Sequence, residues 1–211
     1  CEVAFDADFE YYQSQGSSVP NVIARIESHM NTVEFFYARD VRITYAITGY
    51  VVRTAPFYSP TGGGNLLDLF RAEWNTTQAG FPRDIAHLMT GKPGSLIEFG
   101  GLAWVGAICS DIGYGWSMDS ANIIGHEIGH NWGSSHCHDV TPCNNMCGGC
   151  FYIAPVTKGI IMATRESETC LDDVLAYDEP LPPYAHPEGF ALGKDELLTL
   201  GPVAFDVLSN D

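Results

Sequence analysis

Basic side chains are scarce in this sequence. Ten Lys and Arg stand against 26 Asp and Glu in 211 residues, a formal net charge of −16 at pH 7. A chain of that sign repels phosphate backbones and anionic lipid headgroups, so nucleic acid and membrane surfaces are excluded as partners. The imbalance is uneven: residues 166–211 hold 11 acidic side chains and one Lys, supplying −10 of the −16. A solvated acidic face is the plain reading of that stretch, and calcium binding the sharper one. No run of 18 apolar residues occurs, which argues against membrane insertion. The N-terminus lacks the basic-then-apolar pattern of a signal peptide, so in an exported protein the targeting segment is expected to have been removed already. The glycine-rich stretch Thr61-Gly62-Gly63-Gly64 lacks the Lys-Ser or Lys-Thr pair that a phosphate loop needs, leaving a flexible turn.

Cysteine is present in an odd number, seven. Cys137, Cys143, Cys147 and Cys150 are clustered, Cys109 and Cys170 stand apart, and Cys1 at the terminus is the one expected to be left over. Disulfides are the favoured reading; they imply an oxidising compartment and so a secreted or cell-surface location. The rival is a structural zinc site, because Cys143, Cys147 and Cys150 with His138 nearby offer soft ligands at feasible spacing.

The length suits one domain with an appendage. Residues 2–5 read as a strand, and Val22, Ile23, Ile26, Met30, Val33 and Phe36 recur at helical spacing behind a Ser18/Pro20 start. Residues 41–53 read as a strand or hairpin, Leu66, Leu67, Phe70 and Trp74 as a helix stripe, and 85–89 and 101–107 as two further strands. Alternating strands and helices predict a mixed α/β sheet. Pro180, Pro182, Pro183 and Pro187 mark a linker, with a boundary near 178–187. Beyond it, the acidic tail ending in Pro202-Val203-Ala204-Phe205-Asp206-Val207 resembles the opening strands of bacterial cadherin-like or immunoglobulin-like repeats, which implies further domains of a longer chain.

The chemistry concentrates in His126-Glu127-Ile128-Gly129-His130-Asn131-Trp132-Gly133-Ser134-Ser135-His136. Five positions match His-Glu-x-x-His-x-x-Gly-x-x-His, a pattern that arises by chance in about one chain of this size in a hundred thousand. Residues four apart share a helix face, so His126 and His130 can address one metal ion. Gly133 can take a left-handed conformation and end the helix, letting the chain return with His136 as third ligand. Three imidazoles leave one position of a tetrahedral zinc open to water, and Glu127 is placed to act as the general base on it.

This signature resembles that of the metzincin metallopeptidases, and most closely the adamalysin or reprolysin group. The resemblance implies an α/β (α+β) zinc peptidase domain over residues 1–178: a mostly parallel sheet with an antiparallel edge strand, an active-site helix, and a small irregular C-terminal subdomain. The upper subdomain would span about 1–133 and the lower 134–178, with 179–211 as Pro-rich linker and tail. It implies hydrolysis of protein or peptide substrates laid along Leu102, Ala103, Trp104 and Val105. It further implies Met162, within Gly159-Ile160-Ile161-Met162-Ala163, as the methionine floor beneath the zinc; a Cys109–Cys170 disulfide; and a calcium site from Glu2, Asp84, Asp173 and the carbonyl of Cys170. The sequence departs from the group in that Cys137 and His138 intervene before Asp139, where an Asp usually follows the third His directly; His138 is an alternative third ligand. Two other readings compete with an endopeptidase: a zinc-retaining binding or adhesion module of a larger surface protein, and a small-molecule zinc hydrolase such as an amidase. An intact Glu127 favours an enzyme, since binding needs no base.

Overall fold

A computed structural model describes residues 1–136, 144–147 and 150–168. Its elements, in chain order, are β1 (Glu2–Ala7), α1 (Phe9–Ser14), α2 (Val19–Val41), β2 (Ala46–Val52), α3 (Gly63–Thr76), β3 (Ile85–Met89), α4 (Gly94–Ile97), β4 (Gly101–Ala103), β5 (Tyr114–Ser117), α5 (Ala121–Asn131) and α6 (Pro155–Ser167). One 3-10 turn, Asn145–Cys147, precedes α6.

The sheet runs β2-β1-β3-β5-β4. β1 pairs in parallel with β2 and β3, and β3 with β5, while β4 lies antiparallel to β5 at the edge. This is the mixed sheet with an antiparallel edge strand that the sequence implies. Strand alternation divides the core into two layers. Val3, Phe5, Ile85 and Met89 face α2 and α5, packing on Ile26, Val33, Phe36, Ile124, Ile128 and Trp132. Ala4, Ala86, Leu88 and Trp116 face α3, against Leu66, Phe70 and Trp74. Coverage of both faces explains why every residue of β3 is buried.

Two sequence-based boundaries move. Residues 41–53 do not form one strand: α2 continues to Val41, Arg42 caps it in the left-handed region (φ 56, ψ 43), and the strand begins at Ala46. The helical period wins there because Phe36, Tyr37 and Val41 continue the stripe that packs on the core. The segment 101–107 is a strand only to Ala103; Gly106 takes φ 64 and its N–H donates to the His130 carbonyl at 2.8 Å, turning the chain toward α5. Ser18 does cap α2, its side chain accepting from Asn21 N–H, with Pro20 in the first turn.

Candidate active site

α5 begins after Ser120 and places His126 and His130 one turn apart on one face. Gly133 has φ 91, the left-handed conformation that ends the helix and returns the chain to His136. The three imidazoles converge: ring centroids are 4.7 Å apart for His126 and His130, 5.1 Å for His126 and His136, and 4.7 Å for His130 and His136. One ligand nitrogen from each lies within 4.8 Å of the others.

Backbone carbonyls orient two of the rings. Nδ1 of His126 lies 2.9 Å from Asn145 O, and Nδ1 of His130 lies 2.7 Å from Ser134 O. A carbonyl only accepts, so both Nδ1 atoms carry the proton and both Nε2 atoms present lone pairs. His130 Nε2 and His136 Nε2 are 3.2 Å apart. Burial is the main reason His126 falls below the usual imidazole range and His130 is pushed down to about 4. Neutral, carbonyl-oriented imidazoles are the donor set that zinc takes, and the residues present fit it.

Glu127 follows His126 directly, is 4% exposed, and its pKa is raised by burial to about 8. Its carboxyl packs between α5 and β4: a β-carbon at Gly101 would stand 2.5 Å from Oε1.

A reprolysin-type model described as metallo-peptidase family M12 matches residues 1–173. The chain belongs to this family. Family M12 is zinc-dependent, in keeping with the histidine cluster. Among solved structures, a chain of one titled "Structure of a chaperone-substrate complex" is similar, with a TM-score of 0.62 at 15% identity over 77% of this chain. That likeness concerns the fold, and it spans 37% of the other chain's length.

The expectation of a methionine floor at Met162 does not fit a helical segment, and Met146 is a buried methionine that packs against α5 instead. Residues 159–163 lie inside α6, where Ile161 is buried and Met162 packs on the rim of the core, and they form no turn. Met146 is 1% exposed and packs against α5, since a β-carbon at Gly129 would be 2.4 Å from its Sδ. Asn144 steadies this turn, its Oδ1 accepting from Met146 N–H at 3.3 Å and its Nδ2 donating to Thr157 Oγ1 at 3.0 Å. Met146 carries little sequence signal because it is embedded in the cysteine cluster.

Of the four residues implied for substrate, Leu102 and Ala103 belong to β4, while Trp104 and Val105 follow it, 38% and 53% exposed. Trp104 N–H donates to Tyr114 O at 3.2 Å and Met118 N–H to Gly100 O at 2.8 Å. Even-numbered residues therefore spend their main-chain groups on β5, and Gly101 and Ala103 direct theirs outward. Trp104 O is taken as well, accepting from Asn131 Nδ2 at 3.0 Å.

The calcium expectation gains no support among the described residues, where the histidine triad is the grouped set of metal-ligating side chains. Glu2 and Asp84 are neighbours, but Asp84 Oδ2 accepts from Glu2 N–H at 2.7 Å. Cys170, Asp173, Cys137, Cys143, His138, Asp139 and the tail 179–211 lie outside the described residues.

Proposed function

We propose that this chain is a secreted zinc-dependent endopeptidase that hydrolyses peptide bonds of protein substrates, with His126, His130 and His136 holding the metal and Glu127 as general base. The observation that carries the reading is the convergence of three imidazoles beside a buried carboxyl at the free edge of the sheet. Zinc held there supplies Lewis-acid activation of water and of the scissile carbonyl. Burial raises Glu127 in the metal-free chain, and the charge of a zinc held beside it would keep the carboxyl ionised, so that it takes the proton of the attacking water and returns it to the leaving amide nitrogen. An extended peptide adds to β4, its main chain hydrogen-bonded to the outward groups of Gly101 and Ala103, so that recognition tolerates many side chains. Leu102 and Trp104 turn their main-chain pairing to β5, and their side chains lie on the α3 side, Leu102 against the core there and Trp104 under Arg71.

Extracellular action is supported by the disulfide state of Cys109, Cys147 and Cys150, which belongs in an oxidising compartment.

The test is cleavage of an unfolded, fluorescently labelled protein by the purified chain, with a chelator and after zinc is restored. Glu127→Ala should retain zinc and lose at least about a hundredfold in rate. Full turnover by that variant overturns the assignment of the base; no cleavage by the zinc-loaded chain favours the binding module instead.

A further inference from the structure

We propose that Gly101 is a positioning residue for the reaction: the space left by its missing β-carbon is the seat of the Glu127 carboxyl. The proposal rests on the reading of Glu127 as the base.

A β-carbon built on Gly101 would lie 2.5 Å from Glu127 Oε1, 2.7 Å from Glu127 Cγ and 2.7 Å from Ile123 Cγ2. Neither neighbouring element has room to yield. α5 is held from its far side, where a β-carbon at Gly125 would meet Phe36 Cζ at 2.5 Å and one at Gly129 would meet Met146 Sδ at 2.4 Å. Tyr37 OH adds a hydrogen bond to Gly125 O at 2.7 Å. On the other side β4 is laddered to β5 through Gly101–Ser117, Leu102–Trp116 and Ala103–Gly115. A methyl group at position 101 is therefore accommodated by rotating the Glu127 side chain out of its seat or by displacing the edge strand. Both separate the base from the substrate, because the outward main-chain groups of Gly101 also face the docking peptide. One residue thus sets the spacing between the bound peptide and the base.

Backbone strain does not enter, since Gly101 does not hold a positive φ. Elsewhere in the chain Gly64 has nothing within 4 Å of its would-be β-carbon and serves as control.

The experiment uses Gly101→Ala, Glu127→Ala, the double variant, Glu127→Asp with and without Gly101→Ala, and Gly64→Ala. In the chelator-treated chain, Gly101→Ala lowers the thermal midpoint, and the drop shrinks in the Glu127→Ala background, where the carboxyl is gone and the contact with Ile123 remains. In the zinc-loaded chain, Gly101→Ala keeps its zinc and its KM but loses about tenfold to a hundredfold in kcat, the cost of a misplacement of about 1 Å. Glu127→Asp withdraws the carboxyl by one methylene, so adding Gly101→Ala to it costs little further kcat. Gly64→Ala, inside α3, leaves kcat unchanged and does not lower the midpoint. An equal midpoint drop in the parent and Glu127→Ala backgrounds, or full kcat in Gly101→Ala, overturns the proposal. Turnover by Glu127→Ala would instead overturn the base assignment, while the metal-free midpoints would still report on the seat.

Discussion

His87 lies in the middle of β3 with no exposure, its Nε2 2.9 Å from Ser117 Oγ and its Nδ1 buried without a hydrogen-bond partner. Burial lowers its pKa from 6.5 to about 3. Because the folded value is depressed, the unfolded chain binds the proton first: the stabilisation is complete above pH 6.5 and is lost as pH falls toward 3. At about 1.4 kcal/mol per pH unit, the loss reaches about 2 kcal/mol at pH 5 and about 3 kcal/mol at pH 4. Other groups titrate in the same range. Asp6 and Asp8 are raised by burial, so protonation relieves them in acid, whereas His126 and His130 are lowered and act in the same direction as His87. The diagnostic quantity is therefore the difference between the parent and His87→Gln, both metal-free, followed by urea unfolding through tryptophan fluorescence from pH 7.5 to 4. The parent should lose about 2 kcal/mol more than the variant between pH 7.5 and 5. Parallel stability curves for the two proteins would refute the reasoning.

Two further changes test the fold and the site. Asp6, wholly buried in β1, accepts from Arg53 at 2.7 Å, Tyr58 OH at 2.9 Å and Trp74 Nε1 at 2.9 Å. Arg53→Ala should cost about 3 kcal/mol or more at pH 7 by leaving a buried charge without its cation. The cost should shrink as the pH is lowered, because burial raises the Asp6 pKa and favours its neutral form in acid; urea midpoints followed from pH 7 downward measure both. Met146→Ala should cost about 2–5 kcal/mol as a cavity mutation under α5. It should also weaken zinc binding in competition with a chromogenic chelator, by more than Met162→Ala does.

The parts of this domain legible in the sequence are those whose signals are local. The five matched positions around His126, the Ser18 and Pro20 start of α2, and the apolar run of β3 each specify their structure within a dozen residues. What escaped depends on contacts between distant segments. The last turn of α2 carries β-branched Val41 but is held by the core it buries. β5 is four residues with a glycine inside, and it is a strand because β3 and β4 flank it. Met162 has an apolar turn-like neighbourhood in sequence, yet Pro155 starts a helix that passes through it. Met146 and Gly101 matter through what they touch across the fold, which no spacing rule records.

The carbonyls that orient the clustered imidazoles arrive at different times as the chain is made. His130 is oriented by Ser134, four residues on, but His126 waits for Asn145, 19 residues on. A chain synthesised only as far as His136 holds all three imidazoles and still lacks the acceptor that aims the first. The histidine cluster is thus completed late, after the sheet and α5 have been made, so the three imidazoles are fully aimed only once the scaffold that holds them exists.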